Sequence, residues 1–236
     1  MSSACTGDHF CYNSSMRNLF SPSRLLLLIL LISLLLVVVQ MELVSLVFAK
    51  LGLSAGQGML LLLFSLMGSL LNLPLLSIKA EMPKVEIKIN TPQGLLHIPI
   101  PFEGKTVIAV NVGGCLIPLV FSASLIHRFP IPTSALLFAT CLCSIICFLA
   151  SRPIPGIGIG MMPLVAPLTA AIIAITFGGE YAAPLAYITG TLGVIIGADL
   201  MHMKDISRLG TPVASIGGAG TFDGIFLTGI VAVLLT

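Results

Sequence analysis

The sequence predicts an all-α polytopic membrane protein. It expects about seven transmembrane helices, some broken at glycine-rich segments, and a small cytoplasmic β-hairpin. Three observations carry this. Of the 236 residues only 8% are charged and 57% are hydrophobic, with a mean hydropathy of +1.12, whereas soluble domains carry about a quarter charged residues. Apolar windows of about 20 residues, enough to cross a bilayer, recur along the chain. The basic residues divide unevenly between the segments that separate those windows. Helices follow because a segment in lipid must satisfy its own backbone groups.

Taken in order, residues 1–24 are polar and Ser/Asn-rich, and read as a disordered cytoplasmic tail. The run "RLLLLILLISLLLVVVQ" then opens the transmembrane domain, 25–236. It is long for a signal-peptide core and more apolar runs follow, so it reads as a retained first span. The windows are 25–47, 54–77, 106–126, 131–150, 156–177, 181–201 and 211–236. With the N-terminus inside, the inner segments hold Arg17, Arg24, Lys79, Lys84, Lys88, Lys105, Arg152, Lys204 and Arg208, and the outer ones Lys50 and Arg128. Nine against two accounts for all 11 basic residues. The expected location is the cell membrane, multi-pass, with the C-terminus outside.

Within the inner loop, Val85, Ile87 and Ile89 alternate with Lys84, Glu86 and Lys88. A "TPQG" turn and a second run with Pro99 and Pro101 follow. This predicts paired strands over 84–102, with the second strand at an edge.

Cysteine usage gives no disulfide framework. Cys5 and Cys11 lie in the tail, and Cys115, Cys141, Cys143 and Cys147 in apolar runs, where a thiol serves as small apolar filler. Cys143 and Cys147 are at i, i+4, but no His or acidic residue completes a metal set. No cofactor is expected. A net charge of +2 without a basic stripe gives no nucleic-acid partner. The expected partners are the lipid bilayer, a small cation or proton, and further copies through Gly/Ala helix faces.

The candidate site comes from groups that are expensive in a membrane. Ala182, Ala186, Gly190, Gly193 and Gly197 form one small-residue stripe, explained by helix packing. "NVGG" (Asn111 to Gly114) and "SIGGAGTFDG" (Ser215 to Gly224) are different. Gly217, Gly218 and Gly220 crowd together and weaken the helix by about 1 kcal/mol each. A break there frees backbone groups that can bind ions, provided it faces protein or a cavity. Asn111, Gly113, Gly114, Ser215, Gly217, Gly218, Gly220 and Asp223 are therefore candidate cation- or substrate-binding residues. Asp223 costs about 2.5–3.5 kcal/mol if it enters the membrane as an uncompensated charge. It also suits the start of a half-helix, as a cap. Asp199 closes the sixth window, where the helix dipole opposes it, so it needs a partner; His202 and Lys204 are near in sequence. Glu180 reads as loop, and Glu42 as either the wet end of the first span or a buried group.

Several strings of the C-terminal half, "GKTVIAVNVGGCLIPLVFS", "PGIGIGMMP", "AYITGTLGVIIGADL" and "GTPVASIGGAGTFDGIFLTGI", resemble a prokaryotic membrane family known as domain of unknown function 1614. The resemblance covers about 54–236 and implies an integral membrane protein, with no activity to carry over. A weaker likeness is to intramembrane aspartyl proteases, which pair two aspartates on adjacent spans. Phe222-Asp223 supplies the aromatic and Gly218-Ala219-Gly220 the glycines of their pattern. However, two residues intervene before Asp223, Asp199 follows Gly197-Ala198, and no Pro-Ala-Leu follows. The likeness implies Asp199 and Asp223 as the catalytic pair. Three functions thus stay open: an ion- or proton-coupled transporter or channel-like protein with Asp223 at its site, an aspartyl protease, or a non-catalytic membrane scaffold.

Overall fold

The computed structural model describes residues 22–80, 104–154, 158–218 and 224–236. Two compact units, Met1–Val44 and Ser45–Thr236, divide the chain. In the first, helix α1 (Pro22–Lys50, which runs on into the second unit) begins. Leu28, Leu31, Leu35 and Val38 on it are all exposed. So continuous an apolar surface has no place in water and suits lipid. Its helix already includes Pro22–Arg24, so the expected tail is shorter than 1–24; residues 1–21 lie outside the described ones.

Among the described residues, the second unit holds six further α-helices and two small sheets. In order, these are α2 (Ala55–Gly68), β1 (Asn72–Lys79), β2 (Lys105–Asn111), a π-helical turn Val112–Leu116 leading into α3 (Ile117–Arg128), and α4 (Thr133–Ala150). Then come β3 (Arg152–Ile154), β4 (Gly158–Gly160), α5 (Val165–Phe177), α6 (Ala182–Val194) with a π-helical extension Ile195–Leu200, β5 (Val213–Ile216) and α7 (Gly224–Leu235). Ser54 caps α2 in a capping box: its Oγ accepts from the Gln57 amide, and Gln57 Oε1 accepts from the Ser54 amide.

Helix α6 is the centre, buried from Pro184 through Thr191. It is apolar on all sides, as an enclosed helix must be, and packs against α3, α4, α5 and α7. Its small-residue stripe faces these neighbours. A Cβ on Gly190 would lie 3.2 Å from Thr228 and 3.3 Å from Ala170. One on Gly193 would lie 2.6 Å from Cys143 Sγ, and one on Gly197 would strike the Ser144 carbonyl. The outer faces of α4 and α5 are apolar and exposed, with Leu137, Leu149, Ile172 and Ile175 turned outward. The chain is a membrane-type helical protein.

One expected effect follows from the stripe. Gly193→Ala forces its methyl group into the Cys143 sulfur, and should cost about 1–3 kcal/mol by overpacking. Cys143→Ala should recover part of that loss. Thermal unfolding of the two single variants and the double tests this; purely additive melting shifts would show that the contact is not the cause.

The all-α expectation needs correction in three windows. Helix α2 stops at Gly68, and the end of the window 54–77 belongs to strand β1, Asn72–Lys79. In 106–126 the chain is strand to Asn111 and helical only from Val112. In 211–236 it is strand over Val213–Ile216, and α7 has only 12 residues. The glycine-rich passages therefore join strands to helices instead of dividing helices in two. Short apolar runs cannot be assigned to helix or strand by periodicity. β-branched "TVIAV" and the proline at position 74, beside a register irregularity between Pro74 and Leu76, decide for strand here. Helices of 12 to 14 residues reach only about 18–21 Å, short of a core of about 30 Å.

The strands form one sheet in the order β1-β2-β5. β1 and β2 are antiparallel, from Asn72 opposite Asn111 to Lys79 opposite Lys105. β2 and β5 are parallel, from Val107 beside Val213 to Val110 beside Ile216. The predicted hairpin at 84–102 lies outside the described residues. A second, short antiparallel pair joins β3 to β4. Two basic side chains meet at the Lys79–Lys105 end of the sheet, which favours water there. Lys50 Nζ donates to the Val233 carbonyl at 3.4 Å near the end of α7, and Arg128 lies over Gly52. Lys105 and Arg128 are the first and last residues of the β2–α3 segment.

Candidate functional site

Two strand-to-helix arms lie side by side. In one, β2 runs through the turn at Gly113–Gly114 into α3. In the other, β5 runs into the Gly217–Gly218 turn, and α7 begins at Gly224. Because β2 and β5 are parallel, their turns come at the same edge of the sheet. They touch: a Cβ on Gly217 would lie 2.7 Å from Cys115 Cβ, 2.8 Å from Cys115 N and 2.9 Å from the Gly114 carbonyl carbon. Both Gly217 (φ +86°) and Gly218 (φ +88°) adopt the left-handed backbone that glycine tolerates best.

Asn111 organises the first arm. It is fully buried. Its Nδ2 donates to the Ser69 carbonyl at 2.7 Å and to Asn72 Oδ1 at 3.1 Å. Its Oδ1 accepts from the Gly114 amide at 2.7 Å, capping the π-helical turn. Nearby, Ser65 Oγ donates to the Gly113 carbonyl at 2.7 Å, and Gly113 sits so close to α2 that a Cβ would collide with the Ser65 carbonyl. Ser215 Oγ on β5 donates to the same Asn72 Oδ1 at 2.7 Å. Asn72 thereby joins the ends of all three strands. The sequence reading missed it; its one signal was an amide side chain inside the leucine run "SLLNLPLL".

Asp199 belongs to this assembly. Its Oδ2 accepts from the Gly217 amide at 3.2 Å. His202, considered above as a partner for Asp199, is buried elsewhere: its Nδ1 lies 3.1 Å from the Ala198 carbonyl and 3.4 Å from Ser151 Oγ. A carbonyl only accepts, so that bond puts a proton on Nδ1. A cavity of about 210 Å³ opens beside Asp199, lined also by Gly158, Leu209, Ser215, Gly218 and Ile225.

The structure therefore brings together Asn111, Gly113, Gly114, Ser215, Gly217, Gly218 and Asp199. Gly220 and Asp223 lie outside the described residues. Chemically, the arrangement offers a half-buried carboxylate, a backbone amide turned toward it by a left-handed glycine, and a small space walled by Asp199 and Gly218. Among the described residues no group of three or more His, Cys, Asp or Glu side chains is placed to hold a metal ion.

The family model described as protein of unknown function (DUF1614) matches residues 66–235 of this chain. No curated protein and no solved structure matches it significantly.

Proposed function

We propose, starting from a chain that belongs to the DUF1614 family, a membrane transporter or channel-like protein that binds a small cation or proton at Asp199 and the Gly217–Gly218 turn. Asp223 is its second carboxylate. The observation that carries this reading is the bond from the Gly217 amide to Asp199 Oδ2 at the wall of the cavity. An ionisable group in a membrane protein is expensive and marks a function by default. A turn that frees backbone groups beside it is a familiar ion-binding device. The π-helical extension that carries Asp199 adds to this, since such bulges recur at functional sites.

A second reading, the aspartyl protease with Asp199 and Asp223, draws on one fact. Gly218 and Ile225, which flank residues 219–223 in sequence, both line the Asp199 cavity. The scaffold reading draws less support, because the glycine face of α6 is filled by the chain's own α4, α5 and α7.

Asp199→Asn separates these. Asparagine keeps an oxygen to accept the Gly217 bond but removes the charge. With membrane yield and melting temperature near those of the parent protein, cation or proton uptake into proteoliposomes should fall at least about tenfold. Asp223→Asn should do the same. Loss of cleavage of a membrane-embedded peptide, without any uptake to lose, would favour the protease. Unaltered uptake in Asp199→Asn would remove the transport site.

A further inference from the structure

We propose that the outer edge of β5 is a peptide-binding site, where an extended, apolar segment of another chain adds as a further strand beside Asp199. β5 pairs with β2 along one edge, and among the described residues no strand lies along the other. The direction of its backbone groups follows from that pairing. Val107 stands beside Val213, and its amide donates to the Pro212 carbonyl at 2.9 Å. In a parallel ladder so bonded, the groups of residues 212, 214 and 216 face β2. Those of Val213 and Ser215 face the opposite way, toward the outer edge.

This open stretch has a beginning and an end. Before it, the Thr211 carbonyl accepts from Thr106 Oγ1 at 2.6 Å. After it, the Gly217 amide donates to Asp199 Oδ2 at 3.2 Å. Between the two, the amide and carbonyl of Val213 and of Ser215 enter no strand pairing and no turn or loop bond among the described residues. The cavity of about 210 Å³ follows the same stretch, since Val213, Ala214, Ser215 and Ile216 all line it. Gly158 of β4 lines it too, and a Cβ there would meet nothing within 4 Å. Backbone, carboxylate and open space thus coincide.

Two amides and two carbonyls set about 7 Å apart along a strand match the groups of another extended backbone, which meets all four at once. A metal cation would engage the carbonyls and leave both amides unpaired, which is expensive in apolar surroundings. The other edge of the sheet is guarded. β1 carries Pro74, a register irregularity beside it and a terminal lysine, Lys79, all devices that discourage a further strand. The four residues of β5 include no proline and no charge. Ile206, Leu209 and Ile225 line the cavity as well, so the segment that enters is apolar. The inference goes beyond the uptake reading, and needs Asp199 only as the group that holds the Gly217 amide.

The test uses the full chain in lipid nanodiscs and a dye-labelled hexapeptide of alternating valine and alanine, followed by fluorescence anisotropy. Binding should saturate and exceed that to empty nanodiscs. Val213→Pro removes one outward amide at the first residue of an edge strand, where proline is tolerated. It should weaken binding about tenfold, with the melting temperature near that of the parent protein. Val213→Ala keeps the amide and trims only the side chain, so its loss should be several-fold smaller. Peptides N-methylated at each amide in turn should lose binding at every second position, as a strand paired along one edge must. No saturable binding to the parent protein would show that the chain itself covers the edge, and would overturn the proposal. Equal losses in the two Val213 variants, or losses without alternation along the peptide, would overturn it as well. Should Val213→Pro fail to fold, the N-methylated series on the parent protein decides alone.

Discussion

Gly217→Ala should destabilise the protein by about 2–5 kcal/mol. Two costs add. At φ +86° an L side chain is strained, by about 1–2 kcal/mol. The new Cβ would also lie 2.8 Å from Cys115 N and 2.9 Å from the Gly114 carbonyl carbon. Those are backbone atoms, which cannot rotate aside as a side chain could, so overpacking adds about 1–3 kcal/mol. The turn would have to shift, and the amide that bonds Asp199 would move with it. Melting temperature in detergent and membrane yield should both drop. Gly56→Ala is the control: it lies in α2, and its Cβ would meet open space, so alanine should stabilise it by about 0.5–1 kcal/mol. Equal stability of the two variants would mean that the glycine turns do not pack as described.

Asn111→Leu should cost about 3–5 kcal/mol. A hydrogen bond between membrane helices is worth about 0.6 kcal/mol on average, so the three bonds of Asn111 would by themselves amount to about 2. The larger figure comes from what is left behind. The Gly114 amide and the Ser69 carbonyl are backbone groups that lose their Asn111 partner, and an unsatisfied buried group costs about 1–3 kcal/mol. Asn111→Asp keeps the acceptor for Gly114 but loses both donors, and should fall between the parent protein and the leucine variant. Ser215→Ala removes one bond to Asn72 at a partly exposed position, and should cost under about 1 kcal/mol. Chemical unfolding of the four proteins orders them; a Ser215→Ala loss as large as that of Asn111→Leu would show that Asn72, not Asn111, holds the strand ends.

The membrane class and the position of each apolar helix were legible in the sequence. Each predicted window contains a helix, because burial in lipid needs only composition over about 20 residues to be visible. The two glycine passages were also legible, because clustered glycines weaken a helix wherever they fall. The strands were not. "NLPLLSIK" and "KTVIAVN" are apolar enough to continue a helix, and what makes them strands is each other: Asn72 pairs with Asn111 and Lys79 with Lys105 across an intervening stretch of chain. Pairing of this kind leaves no periodic trace in a short buried run. Asp199 could be singled out as a costly group, but its partner could not. Local spacing suggested His202, yet the π-helical turn and the return of β5 beside β2 put the Gly217 amide there instead.

By itself, then, the sequence determined where the chain enters an apolar environment and which residues are too expensive to be there without a reason. Both are sums over local composition. Only the tertiary structure decided that the two glycine passages meet, that Asn72 ties the strands at their ends, and that Asp199 faces the Gly217 turn. Those depend on a parallel pairing between residues about a hundred positions apart. A backbone contact made without side chains, as at Gly114 and Gly217, is chosen by the packing of the elements on either side, and leaves in the sequence only the absence of a Cβ.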